Sequence, residues 1–489
     1  MNRPVEGWEI ILSLDEAGAD PLARRIARAI AAEVRRGRLQ PGARLPGSRT
    51  LARTLNVHRN TVIAAYEQLA GEGWTEPQRA RGTFIARSVP RPPKRARRND
   101  PGPFGTAVSA GFEVRGPDGG GAGMAHGRLR PLSEGAPDVR LAPVVELTRA
   151  YRRVLRHGAA DLLAYGHPQG HPRLRAALAE LLRSRRAIAA DAEHLVVTSG
   201  SQMALELVAR ALLQPGDTVA VEAFGYRPAW RVFRQQGAAL AAVPLDAGGL
   251  NIAALEALAE RTALRAVYVT PHHQYPTTVT LSAPRRMALL ELARRKRFAI
   301  IEDDYDHEFH YEGQPVQPMA SADRAGVVLY VGTLAKVLAP GVRLGYLLAP
   351  PPLPPILTAL RIGIDRQGDH AVECAVADLL ERGELQRHVQ RARRTYRARR
   401  DHCVSLLKRE LNGSLSFSAP SGGMTLWAEA AVGIDVDAWA QRLQGQGWQV
   451  LTGRHYAYDA AARPNLRLAF ASYEEEEFAE AIGQLRAAL

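Results

Sequence analysis

Seven short apolar segments constrain the fold of this 489-residue chain more than any other feature. They all lie between residues 195 and 349 and read LVVTS, TVAVEA, AALAAVPL, AVYVTP, FAIIED, VVLYVG and RLGYLLA. Helical patterns separate most of them, and strands that alternate with helices favour a mostly parallel sheet with helices on both faces. Sites in such α/β sheets lie at the carboxyl ends of the strands, so the residues after each segment are candidates for chemistry.

One lysine stands out after the sixth segment. The chain has four lysines among its 64 Lys and Arg residues, and Lys336 has no charged residue within six positions on either side. A buried amine has a lowered pKa and is a good nucleophile, as a lysine that forms a Schiff base must be. The alternative is that Lys336 ends a strand and extends its amine to water, and the lysine alone leaves this open.

Two further motifs at strand ends complete one kind of site. FAIIEDDYDHEF, residues 298–309, runs from a buried strand into carboxylates and one tyrosine. TSGSQMAL, residues 198–205, contains a strand end, a Gly-Ser turn and a helix start, which together suit an anion. Pyridoxal phosphate (PLP) needs a lysine for its aldehyde, a carboxylate for its pyridinium nitrogen and a phosphate cradle. The motifs therefore indicate a PLP site.

The motifs TPHHQYPT, IIEDDYDHEFHY and VGTLAKVLAPGVRLGY resemble those of the fold-type I aminotransferases. The exact sequences of these motifs resemble those of the MocR group of GntR regulators, in which a winged helix-turn-helix is fused to an aminotransferase-like domain. The resemblance implies that Lys336 carries PLP, that Asp303 pairs with the pyridine nitrogen and that Tyr305 hydrogen-bonds the ring O3′. Alternation along the strand would place Asp304 on the face opposite Asp303.

The resemblance also implies roles for residues around the rest of the cofactor. Tyr226 would stack on the ring, or be a core tyrosine, and Gln274 would line the ring edge. Arg467 would bind the α-carboxylate of an effector. The expected phosphate ligands are Ser201, Gln202, Thr333 and Arg343. His272 and His273 are expected to be bystanders, and the chain departs from the usual proline, glycine and serine of the group at Phe224, Thr278 and Ala335.

The N-terminal part is basic and predicts a DNA-binding module. Residues 1–100 hold 19 Lys and Arg against 10 Asp and Glu, a net +9 of the +14 of the whole chain. A helix over 21–36, a helix that Ser48 caps, a tight turn and a helix over 58–71 precede two short strands. The expected core residues are Leu51, Val57, Val62, Tyr66 and Leu69.

These elements resemble the GntR winged helix, which implies contact with double-stranded DNA. The expected DNA-binding residues are Arg49, Arg53, His58, Arg59, Asn60, Thr61, Arg81 and Gly82. The alternative is a three-helix protein-interaction module with a solvated basic face.

The predicted organisation is a winged helix-turn-helix domain over residues 18–87, a Pro-, Gly- and Arg-rich linker over 88–130 and an aminotransferase-like domain over 131–489. Within the last, residues 361–409 are expected to form one long helical stretch that leads to a small α/β lobe from about residue 400. Two cysteines, no Cys/His metal spacing and no apolar run of membrane-spanning length predict a cytoplasmic protein without a metal or a membrane partner.

Two functions fit these features. The resemblance favours a PLP-dependent transcription regulator that senses an amino compound or PLP through Lys336. It further implies a homodimer whose DNA-binding heads swap across partners. The alternative is a cytosolic PLP-dependent aminotransferase with an accessory N-terminal domain. Because Ala335 and Thr278 sit beside the lysine and the ring-edge loop, we expect at most weak transaminase activity. A degenerate domain without PLP is disfavoured by the full set of site residues.

Overall fold

The chain divides into two units, Met1–Ala122 and Gly123–Leu489. The computed structural model describes residues 20–78, 81–89 and 129–489 of them. Most of the predicted linker lies outside the described residues. Among the described residues, no helix is both long enough and apolar enough to cross a membrane.

The first unit is a three-helix domain with a β-hairpin. Its elements are α1 (Leu22–Arg35), α2 (Ser48–Leu55), α3 (Arg59–Gly71), β1 (Thr75–Gln78) and β2 (Gly82–Ile85). The strands pair antiparallel. The turn between α2 and α3 is tight because Asn56 adopts the left-handed conformation that closes a helix C-terminus. Apolar side chains of all three helices form one core, which includes Ile30, Leu51, Val62, Tyr66 and Leu69.

The predicted cap of α2 is wrong in one detail. Ser48 is the first residue of the helix, and Gly47 occupies the capping position without a side-chain hydrogen bond. The hydroxyl of Ser48 instead accepts a hydrogen bond from Arg59 Nε at 3.3 Å. The serine therefore joins the start of α3 to the start of α2.

The second unit contains a large sheet, its covering helices and a smaller sheet. The elements up to the end of the large sheet are β3 (Arg130–Pro131), α4 (Val144–Leu163), α5 (Pro172–Arg186), β4 (Leu195–Thr198), α6 (Ser201–Leu212), β5 (Thr218–Glu222), α7 (Arg227–Gln235), β6 (Ala239–Val243), β7 (Leu245–Asp246), β8 (Gly249–Leu250), α8 (Ile252–Arg261), β9 (Leu264–Val269), α9 (Ala283–Lys296), β10 (Ala299–Asp304), α10 (Met319–Ala322), β11 (Val328–Thr333) and β12 (Gly345–Leu348). The remaining elements are α11 (Leu353–Ile362), α12 (His370–Glu381), α13 (Glu384–Glu410), β13 (Leu415–Phe417), β14 (Thr425–Ala430), α14 (Val436–Gln444), β15 (Trp448–Gln449), α15 (Gly453–Tyr456), β16 (Asn465–Ala469) and α16 (Glu475–Ala487).

The seven predicted strands form one sheet in the order β4-β12-β11-β10-β9-β5-β6. Strand β12 is antiparallel to both of its neighbours, and the other pairs are parallel. The prediction of a mostly parallel sheet is confirmed. The carboxyl ends of β5, β9, β10 and β11 consequently meet along one edge of the sheet, where α/β folds place their sites.

Both faces of this sheet are buried, as the near-continuous apolar strands predict. Neighbouring residues of a strand enter different cores: Ile300 and Tyr330 belong to one, and Ile301 and Leu329 to the other. Side chains that alternate between two cores fix the register, because a shift by one residue would exchange the two faces.

The long helical stretch predicted over residues 361–409 is interrupted. Helix α11 ends at Ile362, α12 starts after the side-chain cap of Asp369, and Gly383 separates α12 from α13. Helix α13 leads to the small lobe, where β13, β14 and β16 form an antiparallel sheet. Arg467 lies on β16, opposite Trp427 of β14.

Candidate functional site

The start of α3 presents polar side chains to solvent. His58 caps the helix, and its Nδ1 accepts a hydrogen bond from the backbone amide of Asn60 at 3.3 Å. Arg59 and Asn60 are exposed, whereas Thr61 is half-buried. An exposed helix N-terminus with Arg and Asn can enter a major groove and form paired hydrogen bonds with guanine and adenine edges.

Other exposed cations lie on α2 and at the β-hairpin. Arg49, Arg53 and Arg81 are exposed, as is Gly82 at the start of β2. Sequence reasoning missed Arg44, whose Nε would lie 3.3 Å from a Cβ atom at Gly82 and whose backbone pairs with Phe84. The residue was assigned to a turn-rich connection, although a cation next to a wing can contact the phosphate backbone.

Lys336 lies just beyond the carboxyl end of β11. Its Nζ donates a hydrogen bond to the carbonyl oxygen of Gly135 at 2.6 Å. Burial, and next the charge of Arg467, lower the pKa of Lys336 to about 8, against the attraction of Asp306, Glu134 and Asp303. The amine is therefore far more nucleophilic at neutral pH than an ordinary lysine.

Asp303 stands on β10 beside Val331 of β11. Its Oδ2 accepts a hydrogen bond from Tyr268 Oη at 2.8 Å, while its buried Oδ1 has no hydrogen-bond partner. Burial raises the pKa of Asp303 to about 7. A cationic N–H donor at Oδ1 would satisfy that atom and restore the ionised form. Tyr268 supports the carboxylate from β9, and the sequence patterns treated it only as a strand residue.

Asp304 has entirely different neighbours. Its Oδ2 accepts a hydrogen bond from Tyr330 and lies 3.1 Å from His307 Nδ1 and 3.7 Å from Arg186. These cationic and polar partners hold the pKa of Asp304 well below its usual range, although burial opposes them as the largest single influence. The two adjacent aspartates therefore differ in their surroundings: the partners of Asp304 lower its pKa, whereas the pKa of Asp303 is raised. The Oδ1 atom of each has no hydrogen-bond partner.

Tyr305 and Gln274 are committed to backbone and loop contacts. Tyr305 Oη donates to the carbonyl oxygen of His273 at 2.8 Å. Gln274 Nε2 donates to Glu222 at 3.1 Å and to the carbonyl oxygen of Phe224 at 2.7 Å, and its Oε1 accepts from Thr277. Gln274 thus holds its loop in place, and its expected position at the ring edge stays a prediction.

The residues expected at the phosphate surround the N-terminus of α6. Ser201 and Gln202 are its first two residues. Arg343 donates to the carbonyl oxygen of Ser199 at 2.9 Å, and Thr333 Oγ1 accepts from the amide of Ala335 at 3.1 Å. A cavity of about 610 Å³ is lined by Ser199, Gln202, Tyr226 and Arg343 among others. A Cβ atom at residue 345 would lie 2.9 Å from the amide nitrogen of Ser201, so Gly345 permits this close approach.

Aromatic side chains connect Tyr226, which lines this cavity, to Arg467. The rings of Tyr226 and Tyr275 meet edge to face, with centroids 5.3 Å apart. The guanidinium of Arg467 lies 4.2 Å from the Tyr275 ring centroid, and its Nη1 donates to the carbonyl oxygen of Ser133 at 3.0 Å. Arg467 is 3% exposed, and its Nε has no hydrogen-bond partner. A buried guanidinium with a free donor is suited to a carboxylate.

Comparison with known families separates the same two units. Residues 22–85 match the bacterial regulatory proteins of the gntR family, and residues 131–485 match the aminotransferases of class I and II. A probable rhizopine catabolism regulatory protein, MocR of Rhizobium meliloti, is 31% identical over 98% of this chain and 96% of its own. The pyridoxine biosynthesis regulator PdxR of Corynebacterium glutamicum is 32% identical over 93% and 92%.

Solved structures resemble the second unit. LysN, an alpha-aminoadipate aminotransferase of Thermus thermophilus in complex with N-(5'-phosphopyridoxyl)-L-leucine, superposes with a TM-score of 0.69. The two proteins are 28% identical, and the match covers 74% of this chain and 92% of that one. The cofactor that this fold binds is thus a phosphopyridoxyl group.

A gntR-type winged helix in front of a class I and II aminotransferase domain defines a PLP-dependent, DNA-binding regulator. The chain belongs to the MocR-type GntR family of transcriptional regulators. The site fits PLP on its own geometry as well: Asp303 Oδ1 is an open acceptor, and Gly345 lets the N-terminus of α6, with its free backbone amides, approach β12.

Proposed function

We propose that this regulator senses an amino compound, or PLP itself, through Lys336 and converts the event into a change of DNA binding. One observation carries the proposal. The same chain holds a helix start with exposed Arg59 and Asn60, suited to base edges, and a half-buried lysine whose pKa is lowered to about 8. Near that lysine lies a buried aspartate oxygen without a hydrogen-bond partner. A metabolic enzyme needs only the second of these.

Each cofactor-site residue receives one task in this proposal. Lys336 would hold PLP, Asp303 Oδ1 would accept a hydrogen bond from its ring nitrogen, and the N-terminus of α6 with Arg343 would bind its phosphate. Bound PLP supplies an electrophilic carbon at which an incoming amine can replace the amine of the lysine. Support comes from the burial of Asp303, the lowered pKa of Lys336 and the cavity at Ser199 and Arg343.

Arg467 would select the effector. Its buried guanidinium, with one free donor, would bind the carboxylate of an amino acid whose amine meets the cofactor at Lys336. An amine without an acidic group would lose this contact. The proposal therefore favours an effector with both an amine and an acidic group.

We further propose a homodimer whose DNA-binding heads swap across partners and that acts in the cytoplasm. Large apolar side chains around α4 are exposed in the isolated chain, among them Val144 at 62%, Leu163 at 74% and Tyr165 at 79%. A partner surface would remove them from water. Sedimentation of the untagged protein should give twice the monomer mass, and the substitution Leu163→Asp should reduce that mass.

The test of sensing uses the intergenic DNA upstream of the protein's own gene. Operator affinity is measured by fluorescence anisotropy with and without each amine of a panel that includes gamma-aminobutyrate, taurine and D-alanine. At least one amine should change both the visible spectrum and the operator affinity. Lys336→Ala should lose both responses, and the control Lys296→Ala, whose amine pairs with Glu260 on the surface, should keep them. A response retained by Lys336→Ala would contradict the proposal.

An aminotransferase remains the second candidate, because the second unit matches enzymes over most of their length. The two functions separate at turnover. A sensor needs only the exchange of Lys336 for an amine, whereas an enzyme must also move the α-proton and release a keto acid. Steady-state keto acid formation of the order of 1–1000 per second would favour the enzyme.

A further inference from the structure

Four histidines lie close together near the expected cofactor site. His272 and His273 follow β9, and His307 and His310 follow β10. The ring centroid of His272 lies 4.4 Å from that of His273, 4.6 Å from that of His307 and 5.7 Å from that of His310. The carboxyl ends of two adjacent parallel strands bring them together.

Several ring nitrogens of this cluster lack hydrogen-bond partners. His272 is 3% exposed, and neither of its ring nitrogens has a partner. His273 is 1% exposed and has a free Nε2, and His310 has a free Nδ1. Buried polar atoms are nearly always paired, because an unpaired one has lost its hydrogen bonds to water and gained none. Several at one place indicate a missing ligand.

The spacing of the nitrogens indicates the kind of ligand. One ring nitrogen from each of His272, His273 and His310 lies within 4.8 Å of the other two. A tetrahedral zinc ion with bonds of about 2.0–2.1 Å needs ligand nitrogens about 3.3 Å apart, which small ring rotations would provide. We propose that His272, His273 and His310 form a binding site for one first-row transition-metal ion, such as Zn²⁺.

Two neighbours prepare His273 for this role. Its Nδ1 lies 2.8 Å from Asp306 Oδ1, a contact that fixes the ring and leaves Nε2 free. A carboxylate on the second nitrogen is the usual support of a metal-binding histidine. A Cβ atom at residue 422 would lie 2.4 Å from Nε2, so Gly422 lets the main chain pack against this ring and hold it in place.

The donor set selects the metal. Three imidazoles suit zinc, copper, nickel or cobalt, and offer nothing that Mg²⁺ or Ca²⁺ prefers. The site would also stiffen the cofactor edge, because Tyr305 donates to the carbonyl oxygen of His273 at 2.8 Å. The metal would thereby tie the end of β9 to the segment after β10.

The test measures metal binding by the untagged full-length protein. After treatment with a chelator and dialysis, the protein is titrated with Zn²⁺ by calorimetry and with Co²⁺ by visible absorption, and its metal content is determined by mass spectrometry. We expect one equivalent per chain and the intense visible bands of tetrahedral Co²⁺. His272→Ala and His310→Ala should each weaken Zn²⁺ binding by at least tenfold, whereas the exposed His157→Ala should not change it.

Two outcomes would overturn the site. One is wild-type protein that retains no metal at micromolar free Zn²⁺. The other is equal binding by wild type and His310→Ala, which would assign the ion to other histidines. His310 is half-buried, so its variant is expected to fold, and retention of the lysine-dependent visible absorbance would verify this. If neither variant folds, the wild-type Co²⁺ spectrum alone decides, since octahedral bands would exclude the three-histidine site.

Discussion

The two functional regions of this chain use charge in opposite ways. At the winged helix, Arg49, Arg53 and Arg59 are exposed, so their attraction to DNA is shared with water and screened by salt. At the cofactor site, Asp303 and Arg467 are buried, and Lys336 has a pKa lowered to about 8. Each exposed charge changes the affinity for DNA by a small amount. Buried charges with unsatisfied atoms decide whether a ligand binds at all.

The largest expected effect is therefore on the buried side. Lys336→Ala should abolish the lysine-dependent visible absorbance and the adduct trapped by borohydride, because no other amine of the chain is expected to carry PLP. Absorption spectra and mass spectrometry of the peptide that contains residue 336 measure this. Lys296→Ala serves as the control and should remain yellow. A wild-type protein that stays colourless with added PLP would contradict the assignment.

Within the buried region, substitutions of the adjacent Asp303 and Asp304 should have different effects. Asp304→Asn should destabilise the protein by about 1–3 kcal/mol, because it removes the charged acceptor that Tyr330 and His307 share. Arg186 keeps its ion pair with Glu308. Asp303→Asn should instead weaken PLP retention. Urea unfolding and PLP dialysis measure the two effects, and the reverse assignment of effects would show that the wrong aspartate was chosen.

The raised pKa of Asp303, about 7, gives a sign for its stability effect. In the cofactor-free protein, burial disfavours the ionised form of this carboxyl group. Its ionisation therefore lowers the free energy of unfolding progressively above the ordinary pKa of about 3.9, and the loss is complete above pH 7. At pH 8, cofactor-free Asp303→Asn should therefore be at least as stable as wild type.

PLP uptake should depend steeply on pH. Only the neutral amine of Lys336 reacts, and with a pKa of about 8 its neutral fraction rises from about 1% at pH 6 to about 90% at pH 9. Stopped-flow absorption of the cofactor-free protein mixed with PLP should show the rate rise through pH 8 and level off above it. A rate that is still rising about tenfold per unit at pH 9 would indicate an unperturbed lysine.

Arg467→Ala should impair the response without removing the cofactor. A charge-assisted hydrogen bond contributes about 1.5–3 kcal/mol, so the concentration of a carboxylate-bearing amine that gives half the response should rise by about 10- to 150-fold. Titration with the amine, followed by visible absorption, measures this concentration. An amine without a carboxylate is the matched control and should respond equally in both proteins.

The exposed side should give the smallest effects. Arg59→Ala should cost about 1–3 kcal/mol at the operator and relax base preference at one position. Arg53→Ala should weaken all sequences alike and reduce the salt slope by about one. Footprinting and anisotropy at several salt concentrations distinguish the two, and wild-type affinity in both variants would show that the wrong helix was assigned to DNA.

Local patterns predicted most of the fold because each element is decided by its own residues. The seven sheet strands and the tight turn at Asn56 follow from apolar runs and turn chemistry. Contacts between distant residues could not be predicted this way. The hydrogen bond from Lys336 to Gly135 and the approach of His310 to His272 depend on how strands and loops are arranged in space. The breaks after Ile362 and at Gly383 were missed although local residues signal them: Gly363 ends the first helix, Asp369 caps the second, and Gly383 adopts the left-handed conformation before the third.

The central claim, that Lys336 chemistry controls DNA binding, is tested most directly by reduction with borohydride. Reduction fixes PLP on Lys336 so that no amine can displace it. Operator affinity is then measured with and without the active amine in reduced and untreated protein. We expect both proteins to bind the operator and only the untreated one to respond. A reduced protein that responds as the untreated one does would contradict the claim.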